Sequence, residues 1–179
     1  MKTYLTNIKR MRHAALLLLA FLTLPIQAAD DDLGTPIATF HTLAYESQGA
    51  ENVINILFGA TETGHSIIVD DGNTRQTLEL QVATIDSESG NWSGSVATCT
   101  VSKEGWVKVY GNAEVINLIN ASGCKIDRAD LSQLTTLNIL DMSHNELKAL
   151  NLEGLMRMQA LYLNDNPFSE TPLLVGSYK

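Results

Sequence analysis

Beyond residue 28, the side chains that could do chemistry include three histidines, two cysteines and the adjacent aspartates Asp70 and Asp71. His41, His65 and His144 lie far apart in the sequence, and none has metal-ligand spacing to another histidine, to Cys99 or to Cys124. A zinc site draws on such residues in closely spaced pairs. We therefore expect no bound metal, and we expect the histidines to lie at the surface.

The adjacent aspartates, Asp70 and Asp71, resemble a pair of catalytic carboxylates. Neighbouring residues of a strand point to opposite faces of the sheet, so these two carboxylates would not meet at one site. Gly72 follows them, and a turn is the better interpretation. The sequence has no G-x-S-x-G nucleophile motif, no phosphate-binding glycine loop and no H-E-x-x-H motif. We expect neither an enzyme nor a cofactor.

The elements that must position these groups are organised around a repeat in the C-terminal part of the chain. A pattern of four apolar residues and one asparagine recurs there every 21 residues, within the range of about 20 to 29 residues that is typical of leucine-rich repeats. The two clear copies and one weaker, earlier copy are Leu137, Leu140, Met142, Asn145 and Leu147; Met158, Leu161, Leu163, Asn166 and Phe168; and Ile116, Ile119, Ala121, Cys124 and Ile126.

Each slot of the pattern has a physical reason. Side chains alternate along a strand, so Leu140 and Met142 are expected to face inward and Asp141 outward. A strand with one apolar face cannot stand alone, and stacked copies predict a parallel sheet whose inner face is covered by the return segments. Asn145 is expected to turn inward and bond backbone groups that leave the sheet, and Asn166 to continue this ladder.

Residues 1–28 have the layout of a secretory signal peptide. Basic residues precede an apolar run of eleven residues from Ala14 to Leu24, and the small residue Ala28 follows. This run is too short to span a bilayer, which needs about 20 residues. We expect cleavage after Ala28, or else after Ala29, and an exported product without membrane insertion; a retained anchor is the alternative. Residues 29–36 are interpreted as a flexible acidic lead-in rather than a calcium site.

Residues 37–111 alternate as strands do, between turn residues such as those at 71–73, 89–91 and 104–105. The candidate strands are 38–43, 52–58, 66–69, 76–82, 93–101 and 106–110. Several short strands at this spacing predict a small antiparallel β-sandwich or an open antiparallel sheet. The chain is therefore predicted to be mainly β, with a sandwich-like module at 37–111 and about three repeats at 112–179.

The repeats resemble the leucine-rich-repeat family in its short bacterial form, over residues 116–179. The layout, in which the strand Val107-Lys108-Val109-Tyr110-Gly111 runs directly into the repeats, is similar to that of exported proteins of bacteroidete type. The resemblance implies a short solenoid with a parallel sheet. It also implies an exported protein that binds a protein or glycan partner at a cell surface, in the manner of an adhesin.

Charge and cysteine content add two expectations. The chain has a net charge of −8, and the leader holds four basic and no acidic residues, so cleavage leaves −12. A chain this acidic should not bind nucleic acid or an anionic membrane surface. In an exported chain Cys99 and Cys124 can pair, which would stabilise the fold by ~3 kcal/mol or slightly more. Their places in an alternating strand and an inward slot favour two separately buried thiols.

The exposed face of the repeat sheet is the candidate binding site. Residues 21 apart stack there in columns, and Leu118, Ile139 and Ala160 form an apolar column among them. A tyrosine among amides and carboxylates suits a protein or sugar, because it combines contact area with a polar tip. The residues expected to form the binding face are Asn120, Asp141, His144, Tyr162, Asn164 and Asp165.

Two hypotheses remain open. The first is the exported interaction protein described above. The second is a structural scaffold, or an N-terminal fragment of a longer repeat array, with no ligand site of its own. Lys179 stands where a fourth repeat would begin, so either a longer array or a cap formed by residues 172–179 is expected.

Overall fold

Alternating apolar side chains build a mainly β structure. A computed structural model describes residues 33–46, 52–86, 88 and 91–169. The predicted signal peptide, the start of the lead-in, part of the predicted turn at 89–91, and residues 170–179 lie outside this range. Short 3-10 helices occur at Leu43–Glu46 and Ala113–Val115. The strands are β1 (Ala38–Thr42), β2 (Val53–Ala60), β3 (Ser66–Asp70), β4 (Arg75–Glu79), β5 (Thr84–Ile85), β6 (Trp92–Ser93), β7 (Ser95–Thr100), β8 (Trp106–Gly111), β9 (Ile116–Asn120), β10 (Ile126–Asp130), β11 (Ile139–Asp141) and β12 (Ala160–Tyr162).

The first sheet has the strand order β10-β1-β8-β3-β4, and all its neighbouring strands are antiparallel. The second sheet has the order β12-β11-β9-β2-β7 and is mixed. Its strands β9, β11 and β12 are parallel, whereas β2 is antiparallel to both β9 and β7. Each of the six predicted strands overlaps an observed one, but the segment predicted at 93–101 is interrupted at Gly94, between β6 and β7.

The parallel strands pair at the 21-residue interval of the sequence pattern. Leu140 of β11 lies opposite Ile119 of β9 on one side and Leu161 of β12 on the other. Leu140 is fully buried, as its slot predicts, and Asp141 is half-buried on the opposite face. Because the register equals the repeat length, equivalent side chains of successive repeats lie next to each other across the sheet.

One hydrophobic core is shared by the inner faces of both sheets and by the segments that follow the parallel strands. Burial of this apolar area is the main stabilising contribution, at about 25 cal/mol per Å². Fully or almost fully buried members of the core are Phe40, Ile56, Phe58, Ile67, Val69, Cys99, Val107, Val109, Ile119, Leu131, Leu134, Leu137, Leu140, Met142, Leu147 and Leu152.

The first repeat contributes a strand to each sheet. Its strand β9 pairs with β2, with Ile119 opposite Phe58. The chain then crosses to the first sheet, where β10 pairs with β1 and Ala129 lies opposite Phe40. Residues 126–130 are therefore a strand, whereas the corresponding residues 147–151 of the next repeat form no strand. The β module and the repeats belong to one compact unit that begins at Leu33.

The turn after each parallel strand has the same backbone conformation in all three repeats. Gly123, His144 and Asp165 lie 21 residues apart, and their φ angles are 69°, 54° and 56°. This left-handed conformation costs little for glycine but about 1–2 kcal/mol for most other residues. The repeated conformation fixes where the side chains of His144 and Asp165 are presented.

Candidate functional site

The exposed face of the second sheet carries one row of side chains across all five strands. Tyr162 of β12 lies opposite Asp141 of β11, which lies opposite Asn120 of β9. The row continues into the β module, with Leu57 opposite Asn120 and Val96 opposite Leu57. We call these five residues the central row. Three of the six predicted binding residues therefore lie side by side, and the strands of the β module extend the row.

Asp141 is held in place by its neighbours in the turn. Its Oδ1 accepts hydrogen bonds from the backbone N–H of Ser143 at 3.0 Å and from the Ser143 hydroxyl at 2.6 Å. The Ser143 hydroxyl is also 2.9 Å from the hydroxyl of Ser122, in the preceding repeat. Asn120 caps its own turn in the same way, accepting from Ser122 N–H at 3.0 Å. The polar centre of the row is thus ordered before any partner binds.

The other three predicted binding residues form a second group at the turns that follow the strands. His144 Nδ1 lies 3.1 Å from Asp165 Oδ2, and Asn164 Nδ2 donates to the same oxygen at 2.7 Å. The side chains of His144 and Asp165 are 60% and 62% exposed, so this contact contributes little to stability. Its groups are open to solvent and accessible to a partner.

Part of the exposed face is covered by residues 81–86 and 91–94, which we call the arm and which contain β5 and β6. The arm is attached to β2 by hydrogen bonds from Ala60 N–H to Gln81 O, at 2.9 Å, and from Ala83 N–H to Ala60 O, at 3.0 Å. Ala83 packs directly on Gly59, where an added Cβ would come within 2.5 Å of the Ala83 Cβ and 3.0 Å of the Leu118 Cβ. The prediction that Leu118 belongs to an exposed column is therefore wrong, because Leu118 is fully buried.

The arm also reaches the last described strand. The rings of Trp92, on β6, and Tyr162 meet edge to face, with 6.4 Å between their centres. Tyr162 keeps 43% of its surface exposed. Trp92 is not among the predicted site residues, because nothing in the spacing of the repeats connects it to Tyr162. The result is an aromatic pair at one end of the central row.

The histidines and the adjacent aspartates lie in separate parts of the fold. His144 is exposed, but the prediction of a surface position is wrong for His41, which is 6% exposed and hydrogen-bonded through Nδ1 to Asp127. Asp71 is buried and structural: its Oδ1 accepts from the N–H of Asn73 and Thr74, and its Oδ2 from Thr100 N–H at 3.0 Å. The predicted turn at 71–73 is confirmed, since Gly72 has a φ of 83° and Asp71 N–H donates to Thr74 O at 3.1 Å.

Cys99 and Cys124 are both buried and are not joined by a disulfide. Burial raises the pKa of Cys99 to about 12, helped by the nearby carboxylate of Asp71. Burial also raises the pKa of Cys124 to about 11, although its thiol lies 3.3 Å from the backbone oxygen of Asn55. Both groups are therefore neutral thiols near pH 7 and are poor nucleophiles.

Neither a metal site nor a membrane-spanning helix is found among the described residues. No group of three histidine, cysteine or acidic side chains there is arranged to hold a metal ion. No helix in that part of the chain is long and apolar enough to cross a membrane. Comparisons with protein-family models, with curated proteins and with solved structures found no match for this chain.

Proposed function

We propose that the protein is an exported leucine-rich-repeat interaction protein that binds a protein or a glycan at a cell surface through the exposed face of its second sheet. The observation that carries the proposal is the central row, which joins Asn120, Asp141 and Tyr162 to apolar residues of the β module. Aromatic and apolar contacts beside ordered polar groups are the usual composition of a binding surface.

The solenoid part of this proposal rests on the repeats. Parallel pairing at an interval of 21 residues supports it, as does the asparagine ladder. Asn145 Oδ1 accepts from Ile126 N–H and Asn166 Oδ1 accepts from Leu147 N–H, at 2.9 and 3.0 Å. The same contact in two successive turns is what a stack of equivalent repeats requires.

Exposed apolar side chains support a partner on this face. Val53 and Val96 of the second sheet are 37% and 48% exposed, and Ile85 of the arm is 53% exposed. Together with Trp92 and Tyr162 they supply contact area around the polar centre of the row. The overall acidity of the chain favours a partner that is neutral or basic.

The test is a binding screen of the purified protein against glycans and extracellular-matrix proteins, with Trp92→Ala and Tyr162→Ala variants. Truncation of an aromatic anchor should weaken binding more than about tenfold. Tyr110→Ala is the matched control, because Tyr110 is a half-buried tyrosine on the first sheet. Loss of binding in Tyr110→Ala with retention in both other variants would place the site elsewhere.

Export is tested separately. The secreted protein should begin at Ala29 when its N-terminus is sequenced, and an Ala28→Arg variant should remain uncleaved. Recovery of an uncleaved chain from the wild-type gene would instead support a retained anchor.

A scaffold role is the second candidate, and one observation favours it. Strand β12 pairs with β11 and has no other neighbour among the described strands. A parallel edge of this kind can accept a further repeat. If the purified protein binds nothing in the screen, whereas a chain extended by further repeats does bind, the scaffold role is correct.

A further inference from the structure

A concave site lies between strand β10 and the segment 146–149, and none of the central-row residues lines it. Its volume is about 350 Å³, at the lower end of the range of about 300–1,000 Å³ for small-molecule sites. The residues that line it are Leu43, Asp127, Arg128, Glu146, Lys148 and Ala149.

The β10 wall is shaped by a β-bulge. His41 pairs with Arg128 and the next residue, Thr42, pairs with Ile126, so Asp127 is an extra residue with no partner in β1. A bulge redirects the side chain of its extra residue. Here the Asp127 carboxylate bonds the Nδ1 atom of buried His41 and also lines the cavity.

The side chain of Arg128, on the same wall, is also held in place. Its guanidinium carbon lies 5.2 Å from the centre of the Trp106 ring, and its Nε lies 3.5 Å from Asp127 Oδ2. Stacking on an aromatic ring restricts a guanidinium and leaves its edge free to donate. One negative and one positive group are therefore fixed side by side.

The segment 146–149 adds one acidic and one basic side chain to the lining, Glu146 and Lys148. The backbone is anchored by bonds from Glu146 N–H to Ile126 O, at 2.8 Å, and from Ser169 N–H to Lys148 O, at 3.0 Å. Neither the Glu146 carboxylate nor the Lys148 ammonium has an ion-pair partner among the described residues. Leu43 and Ala149 add apolar surface to the lining.

Two carboxylates, two cations and an apolar patch around one small cavity define the chemistry of a ligand. We propose that this cavity binds a free amino acid with an apolar side chain. Its carboxylate would accept hydrogen bonds from Arg128 and Lys148, since guanidinium groups match carboxylates in geometry. Its ammonium would donate to Asp127 and Glu146, and its side chain would pack on Leu43 and Ala149.

The experiment is a titration of the isotope-labelled protein with L-leucine, followed through its backbone amide signals in solution. Saturable shifts are expected at residues 43, 127–128 and 146–149, at concentrations up to about 10 mM. N-acetyl-L-leucine lacks the ammonium and L-leucinamide lacks the carboxylate. Each should bind about tenfold more weakly, because one charged contact is lost.

Two variants test which side chain binds the carboxylate of the ligand and which binds its ammonium. Arg128→Gln should weaken L-leucine about tenfold but leave L-leucinamide unchanged, and Glu146→Gln should weaken L-leucine but leave N-acetyl-L-leucine unchanged. Lys103→Gln, an exposed change in the turn before β8, is the control. The amide spectrum itself reports whether each variant is folded. Equal binding of all three compounds, or no saturable shift, would overturn the proposal.

Discussion

Asn145 accepts a hydrogen bond from the backbone N–H of Ile126, in the preceding repeat, at 2.9 Å. Its amide nitrogen lies within 2.9 to 3.1 Å of the carbonyl oxygens of Ala121, Met142 and Ser143. One buried side chain thus serves a donor and several acceptors where the chain leaves the sheet. The ladder predicted from the asparagine spacing is confirmed at this position.

Replacing Asn145 should destabilise the protein more than its size suggests. Asn145→Ala leaves buried backbone groups unpaired and should lower the free energy of unfolding by about 3 kcal/mol. Asn145→Asp keeps the acceptor but loses the amide donor, and it places a carboxylate against carbonyl oxygens. It should be at least as damaging at neutral pH, as measured by urea denaturation. A fully stable Asn145→Asp variant would contradict this role.

The register of β11 predicts unequal effects at neighbouring positions. Leu140→Ala should cost about 2–5 kcal/mol, because Leu140 is fully buried in the core. Asp141→Ala should cost about 1 kcal/mol, because two donors of Ser143 lose their acceptor. Asp141→Asn, which keeps an oxygen at that place, is the control for Asp141→Ala. Equal losses for Leu140→Ala and Asp141→Ala in denaturant melts would show that the register is wrong.

The arm can be displaced by a single methyl group. Gly59→Ala should push Ala83 away and cost about 1–3 kcal/mol, as overpacking does. The amide of Ala83, which bonds Ala60 O, should then exchange its hydrogen faster. Ala83→Gly in the same chain removes one clashing methyl and should restore part of the stability. An unchanged exchange rate in Gly59→Ala would show that the arm does not pack on β2.

The two thiols should make stability depend on alkaline pH. Their folded pKa values, about 12 and about 11, lie above the ordinary value of 9.0. The folded chain therefore holds its thiol protons more tightly than the unfolded chain. The contribution to stability is complete below pH 9 and is lost as the pH rises through the folded values.

The measurement is the melting temperature across that pH range, for the wild type and for a Cys99→Ala, Cys124→Ala double variant. The wild type should lose stability more steeply above pH 9. Tyr45, whose pKa burial also raises, is present in both proteins and cancels in the comparison. Parallel curves would contradict the burial of the thiols.

The features that were predictable from the sequence are those set by local spacing. The inward position of Leu140, the bonding of Asn145 and the turn at Gly72 all follow from alternation or from the conformational preference of one residue. The same spacing predicted that Asn120, Asp141 and Tyr162 are neighbours, which the strand register confirms. Repetition made the predictions for Leu140 and Asn145 stronger, because their slots recur every 21 residues.

The covering of Leu118 and the burial of His41 depend on contacts between distant segments, so no local sequence pattern predicts them. Nothing in the spacing connects Ala83 with Gly59, or Trp92 with Tyr162. One signal was present, since a glycine inside an apolar strand often marks the close approach of another backbone. Gly59 is such a residue, and it could have indicated that Leu118 is covered. His41 gave no comparable signal, because its partner Asp127 lies 86 residues away.

The asparagine ladder also sets an order of events during synthesis of the chain. Each turn is completed by a side chain that lies 19 residues later, as in the pairs Ile126 with Asn145 and Leu147 with Asn166. At about 5–20 residues per second, a newly made turn waits about one to four seconds for the residue that closes it. A pause of the ribosome within a repeat would prolong the exposure of the unfinished turn before it.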